Sequence, residues 1–180
     1  MAEYERRNNH PIPAGPVVVR HEYLRDRCKG HRVLSLGGGG PLEQFIRPLT
    51  AALYCIDIEP KPSVTIVDLD KEPDQLRAFT SHIDLILCGE ILEHLSNPGR
   101  LLDVLRWMRK PMVVTAPNAF TTVGRWLLDD GIENVNAEHV CWYSPITLRT
   151  LLTRHGFKVT KFCWYNGKPI YAEGMIFEVQ

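Results

Sequence analysis

Residues 33–45, VLSLGGGGPLEQF, set four consecutive glycines, Gly37 to Gly40, between an apolar run and a stretch with helical pattern. Each glycine costs backbone entropy, so four in a row make a poor simple turn. Glycine admits positive φ and lets a ligand touch the backbone, and the helix start beyond it presents free N–H groups to an anionic group. A phosphate-binding P-loop needs a Lys after its last glycine, and none follows here. The dinucleotide pattern G-x-G-x-x-G is met by Gly37 and Gly39, but its third position is Leu42. Asp57, 20 residues after Gly37, suits a carboxylate that accepts ribose hydroxyls, from NAD or any other adenosine ligand.

Outward from this loop, short apolar runs alternate with helical patterns. RVLSL (32–36), ALYCID (52–57), SVTIVDLD (63–70), IDLILC (83–88) and PMVVTA (111–116) read as strands. IDLILC is apolar throughout, as a strand buried on both faces should be. Helices are expected over 17–28, 41–50, 72–82, 89–95, 98–109 and 144–156. The last has Ser144 as N-cap, Pro145 at its first position and Gly156 as its stop. FKVTKFCWY and AEGMIFEVQ read as a closing antiparallel pair. Alternation of this kind implies an α/β, Rossmann-like doubly wound sheet in a single domain over 1–180. Residues 1–30 form an N-terminal arm and helix. Residues 117–143, which include a short helix at TTVGRWLLDD, suit a substrate lid. Ligands of such sheets lie beyond the carboxyl ends of the strands.

Charge and cysteines narrow the partners. Lys plus Arg and Asp plus Glu are both 21, so the net charge is zero with neutral His. That gives no general attraction to nucleic acid or anionic membrane. Five scattered cysteines, without C-x-x-C, argue against a disulfide framework and for reduced thiols. The polar start of the sequence has no apolar stretch of signal-peptide type, and no segment has the length of a membrane span. A cytoplasmic protein without membrane insertion is the expectation.

CGEILEHLSNP (88–98) follows the buried run IDLILC. A helix over 89–95 would place Glu90, Glu93 and His94 on one face, with Ile91, Leu92 and Leu95 opposite. That face could be merely solvated, could hold a metal ion, or could carry a general base. His139, in NAEHVCWYS, could add a fourth ligand. Carboxylate and imidazole together suit zinc, manganese or iron, and magnesium less well. As bases, His94 or His139 would take a proton from an acceptor. Trp126, Trp142, Tyr143 and Asn118 could contact that acceptor, or could serve the core and a turn.

VLSLGGGG, LYCIDIEP, VDLD, IDLILCGEILEHL, PMVVTAPN and HVCWYSPITLRTLLTRHGF follow one another across residues 30–180. In this order they resemble class I S-adenosylmethionine-dependent methyltransferases, in particular the branch that includes the ubiquinone-biosynthesis O-methyltransferases. The resemblance implies a seven-stranded, mostly parallel sheet with an antiparallel last strand. It implies Gly37, Gly38 and Gly39 beside the methionine part of S-adenosyl-L-methionine, Asp57 on the ribose and Ile58 beside the adenine. Asp68 and Leu69 would lie at the adenine edge, and Cys88 and Gly89 would offer backbone to the cofactor. The E-x-x-E-H set with a distant His resembles the metal-binding set of ubiquinone O-methyltransferases and of small-RNA 2′-O-methyltransferases. It implies a divalent cation on Glu90, Glu93, His94 and His139.

Two departures stand out. Ser35 occupies a cofactor-side position where the family usually has an acid, and Pro41 replaces a common third glycine. The expected function is methyl transfer, to oxygen, on a small-molecule or glycan-like acceptor such as a sugar, a lipid-linked precursor or a natural product. The competing expectations are an NAD(P)-dependent oxidoreductase, which the third-glycine mismatch weakens, and a non-catalytic S-adenosylmethionine-binding protein, which Ser35 favours.

Overall fold

Among the described residues eight strands form one sheet: β1 (Val17–Val18), β2 (Arg32–Leu36), β3 (Ala52–Asp57), β4 (Val64–Ile66), β5 (Leu85–Gly89), β6 (Met112–Pro117), β7 (Val159–Tyr165) and β8 (Gly174–Val179). Their order is β1-β7-β8-β6-β5-β2-β3-β4. The computed structural model describes residues 10–180, so the arm before residue 10 lies outside the described residues. β8 runs antiparallel to both β6 and β7, and every other pairing is parallel. The helices are α1 (Arg20–Cys28), α2 (Pro41–Ile46), α3 (Pro98–Met108), α4 (Thr122–Asp129) and α5 (Pro145–Arg154).

The two-residue period of the strands sorts their side chains between two cores. Val33, Leu85, Leu87 and Val113 join Leu24 and Cys28 of α1 and Leu42 and Ile46 of α2. Leu34, Leu36, Ile86, Met112 and Val114 join Leu101 and Leu105 of α3 and Leu148 and Leu152 of α5. Burying one such leucine is worth about 2 kcal/mol. Both faces of β2 and β5 are covered this way, which is why their sequences are apolar runs rather than alternations. β3 lies on one side of β2 and β5 on the other, so the strand order reverses at β2. A crevice opens there at the carboxyl ends of the strands.

The doubly wound reading holds, with eight strands in place of seven. The extra strand, Val17–Val18, was expected to be helical. Sheet partners claim its surroundings instead: the Trp164 N–H donates to Pro16 O at 2.9 Å and the Asn166 N–H to Val18 O at 3.1 Å. The helix expected over 41–50 is α only to Ile46 and tightens to 3₁₀ at Arg47–Leu49, because Pro48 has no N–H for the next rung. The 63–70 strand shortens to Val64–Ile66 because Asp68 turns the chain, accepting the N–H groups of Asp70 and Lys71, each at 3.1 Å. The helix expected over 72–82 is a 3₁₀ stretch, Pro73–Phe79.

The largest departure is at 89–95, where only Leu92–His94 is helical, as one 3₁₀ turn. The carbonyls that a helix would use are taken by the 117–143 connection and its continuation. Val140 N–H donates to Glu93 O at 2.8 Å, and Tyr143 Oη donates to Leu92 O at 3.3 Å. Glu90 continues the sheet instead, its N–H donating to Thr115 O at 3.0 Å, with a left-handed φ of 54°. The helical face proposed for residues 90, 93 and 94 therefore does not form. Among the described residues no helix is long and apolar enough to cross a membrane.

Candidate active site

The glycine loop is built for close approach within the chain itself. A Cβ on Gly37, whose φ is 69°, would stand 2.3 Å from Ile91 Cδ1. One on Gly39, with φ 97°, would stand 2.6 Å from Val64 Cγ2. Both positions need glycine whatever binds above them. Gly38 is held by its N–H to Ile56 O at 2.9 Å.

Beyond the loop lies a cleft of about 560 Å³, lined by Gly37, Asp57, Ile58, Asp68, Leu69 and His94, with Lys61 and Lys71 at its sides. Five residues expected to hold the adenosine cofactor thus share one cavity. Asp57 accepts the Glu59 N–H at 3.0 Å and Lys61 Nζ at 2.8 Å. Each oxygen keeps a lone pair for a ribose hydroxyl. Ile58 stands 61% exposed at the rim, an apolar surface without cover in this state. The donor set and the uncovered isoleucine fit an adenosine group.

Ser35, Gly38, Gly39, Cys88 and Gly89 do not line that cleft. Cys88 is fully buried, on the α3–α5 side. Ser35 shares its parity with Val33 and points at α2, away from the cleft. Its hydroxyl donates to Glu43 Oε1 at 2.8 Å, and Glu43 Oε2 accepts the Gly40 N–H at 3.1 Å. Glu43 is itself buried. The carboxylate missing from position 35 therefore reappears from α2, tied to both ends of the glycine loop. The Gly40–Glu43 spacing is half of a capping box, a signal the sequence carried unread.

A second cavity, of about 220 Å³, lies under the 117–143 connection. Its wall includes Glu93, His139, Gly124, Trp142 and Tyr143. Glu93 and His139 face this cavity, while His94 faces the first cleft. The His94 and His139 rings meet edge to face, with centroids 4.6 Å apart. Ligand atoms from Glu93, His94 and His139 all fall within 4.8 Å of one another. This trio stands in the partition between the two cavities.

Glu93 is the anomaly of the molecule. It is 1% exposed, and among the described residues neither carboxylate oxygen has a hydrogen-bond partner. Burial, reinforced by the charge of Glu90, pushes its carboxyl up to about 8. His139 is held below the usual histidine range by burial and then by His94, so its imidazole is neutral at neutral pH. An unpartnered carboxylate beside two imidazoles is a donor set that fits a divalent cation.

Glu90 does not join this trio, contrary to the expected four-residue set. Its left-handed backbone turns the side chain away. Its Oε2 lies 3.1 Å from Arg20 Nη1, and its Oε1 accepts the hydroxyl of Tyr165. Neither Arg20 nor Tyr165 was marked by the sequence.

The remaining candidates separate cleanly. Asn118 is buried and structural: its Nδ2 donates to Ile170 O at 2.8 Å and Ala172 O at 3.0 Å, and its Oδ1 accepts the Phe120 N–H. Tyr143 belongs to the core. Trp142 lines the second cavity, and Trp126 is 69% exposed on α4.

Comparison with known proteins agrees with this architecture. The family described as a methyltransferase domain matches residues 16–161. Among curated proteins none matches this chain in sequence. A SAM-dependent methyltransferase from Archaeoglobus fulgidus superposes with a TM-score of 0.62 at 14% identity, over 88% of this chain and 93% of that one. The small RNA methyltransferase HEN1 gives 0.70 at 14% identity, over 96% of this chain but 27% of that one. Magnesium protoporphyrin IX methyltransferase from Synechocystis, with bound SAH, gives 0.60 at 15% identity, over 89% and 81%. At these identities the structures share a fold with this chain.

Proposed function

This chain belongs to the methyltransferase domain family, as a class I S-adenosylmethionine-dependent enzyme, and from that premise we propose that it methylates an oxygen of a small-molecule or glycan-like acceptor. Family membership displaces the oxidoreductase and the non-catalytic alternatives. The observation that carries the finer reading is the unpartnered Glu93 carboxylate, set with His94 and His139 between the adenosine cleft and the second cavity. Residues 117–143 are then the acceptor lid, and the branch resembled is that of the ubiquinone-biosynthesis O-methyltransferases.

S-adenosyl-L-methionine supplies an electrophilic methyl group on a sulfonium. Asp57 holds the ribose, Ile58 covers the adenine, and Asp68 and Leu69 close its edge. Ser35, through Glu43, and Gly37 to Gly39 fix the loop, while Cys88 and Gly89 carry backbone past it. The acceptor enters the cavity under the lid, where Trp142 covers it and water is displaced. Glu93, His94 and His139 would hold a divalent cation, whose charge would lower the pKa of an acceptor hydroxyl. Where no cation is held, the neutral His139 imidazole would instead take the hydroxyl proton as the new O–C bond forms and the old S–C bond breaks. The 117–143 segment carries Arg125 against Asp129, Asp130, Glu133 and Glu138, which disfavours a polyanionic acceptor such as RNA.

The test is transfer of methyl label from S-adenosylmethionine into a deproteinised small-molecule extract, with the linkage read by mass spectrometry. A methyl ether is expected, reduced about 100-fold in His94→Ala and in His139→Ala. Unchanged turnover in both variants, or label found only on nitrogen, carbon or RNA, would sink the proposal.

A further inference from the structure

The cavity of about 220 Å³ under the 117–143 connection carries a second carboxylate that the proposed reaction leaves unused. Glu173, the residue before β8, stands in its wall with Asn134, Asn136 and Trp142. The backbone there is pinned on both sides. The Glu173 N–H donates to Asn166 O at 2.8 Å, and Glu173 O accepts the Asn118 N–H at 2.9 Å. Glu173 Oε2 accepts Asn166 Nδ2 at 2.8 Å, its one side-chain hydrogen bond among the described residues. The neutral amide aims the carboxylate without cancelling its charge.

No Lys or Arg lines this cavity. Arg125 of α4 is spent on Tyr171: it donates to the hydroxyl at 3.2 Å, with its guanidinium 5.4 Å from the ring centre. Arg20, which with Glu173 borders a third cavity of about 340 Å³, pairs with Glu90 at 3.1 Å. The 117–143 connection adds Asp129, Asp130, Glu133 and Glu138 against Arg125 alone. The field over this cavity is therefore negative. Glu93, buried and unpartnered among the described residues, faces the same space and marks it as one that a ligand completes. The two carboxylates serve different ends. Glu93 stands at the partition with the Asp57 cleft, and Glu173 stands toward the third cavity, with which it shares a wall.

Size and lining narrow the ligand further. The volume falls below the ~300–1,000 Å³ that encloses drug-sized ligands, so it takes about one ring. Trp142 offers an aromatic face. Asn136 spends its Oδ1 on the Glu138 N–H at 3.1 Å, which leaves Nδ2 to donate to a hydroxyl.

We propose that Glu173 sets acceptor specificity, and that the acceptor is a single-ring polyol bearing an ammonium, as an amino sugar does. The ammonium docks on Glu173 while a hydroxyl faces Glu93 and His139. A nitrogen held as a cation has no lone pair for the methyl group, so oxygen stays the nucleophile. An acceptor bearing carboxylate or phosphate finds no cation in this wall. The inference rests on reading this cavity as the acceptor site of an O-methyltransferase.

Four methyl glycosides test it on one ring: the glucosaminide carries an ammonium, its N-acetyl derivative an amide, the glucoside only hydroxyls and the glucuronide a carboxylate. Binding to the protein saturated with S-adenosylhomocysteine is read by ligand-observed NMR, and methyl transfer from S-adenosylmethionine by mass spectrometry. The glucosaminide should bind at least tenfold tighter than the other three. Glu173→Gln should bring it within about threefold of the glucoside. Unchanged S-adenosylhomocysteine affinity shows that this variant is folded. Glu173→Lys should reverse the order and favour the glucuronide. Equal binding of glucosaminide and glucoside in the wild type, a preference that survives Glu173→Gln, or no binding of any probe overturns the proposal. A preference that depends on Glu173, with methyl found on no oxygen, would uphold it and overturn the O-methylation beneath it.

Discussion

Asp57 and Glu93 are both carboxylates near the carboxyl ends of central strands, and they live in opposite conditions. Asp57 is hydrogen-bonded on both oxygens and paired with Lys61. Glu93 is sealed from water, with neither oxygen partnered among the described residues. The first belongs to a cleft that the chain completes by itself, loop and cations included. The second belongs to a partition that stays incomplete until something else arrives. The Asp57 half is thus preorganised, and the Glu93 half carries an unmet electrostatic demand.

The sharpest break in this contrast is Asp57→Ala. Losing charge-assisted bonds to two ribose hydroxyls should cost about 3 kcal/mol, a hundredfold or more in S-adenosylhomocysteine affinity by calorimetry. The same variant should leave cation binding at Glu93 untouched, and a loss of both would erase the division between the halves.

Next in size is the pH dependence of Glu93. In the folded chain it holds its proton to about 8, against an ordinary value of 4.5. Between those values the folded state binds the extra proton, so this contribution is complete below the lower value and is lost as pH rises toward the higher one. Without cation, wild-type stability should fall by about 2 kcal/mol more than that of Glu93→Gln between about pH 5 and about pH 9, by denaturant titration. Parallel curves would show that Glu93 is ionised throughout.

Smaller again is Glu43, the carboxylate that serves Ser35. Glu43→Ala should weaken S-adenosylhomocysteine about tenfold. Glu43→Gln, which can still accept from Gly40 while Ser35 rotates its hydroxyl, should weaken it about threefold. If the two variants behave alike, charge rather than loop geometry is the important property. Lys61→Ala should be the mildest, within about twofold, since Lys61 is a third exposed and divides its ammonium between Asp57 and the exposed Glu59.

The same division governs what the sequence discloses. β2, β3, β5 and the glycine loop were legible because burial on both faces and positive φ leave direct marks on residue choice. That Asp57 and Gly37 share a cleft was legible from their spacing. Residues 89–95 misled because their fate was decided far away: Val140 and Tyr143 take the carbonyls of Glu93 and Leu92. Local periodicity cannot report a competitor some 50 positions distant. The meeting of His94 with His139 was open in the sequence as one possible ligand set, which the family resemblance singled out. The Arg20–Glu90–Tyr165 cluster, drawn from three separate elements, left no local pattern at all.

We propose that Glu93, His94 and His139 form a cation site in the partition, bordering the cleft of Asp57 and Ile58 through His94 alone. Titrating Mn²⁺ into the protein, with free Mn²⁺ read by electron paramagnetic resonance, tests it directly. One ion should bind per chain. The ion should be lost in Glu93→Gln and in His139→Ala, with S-adenosylhomocysteine affinity unchanged in both. Absence of stoichiometric binding in the wild type, or binding that survives both substitutions, would contradict the claim.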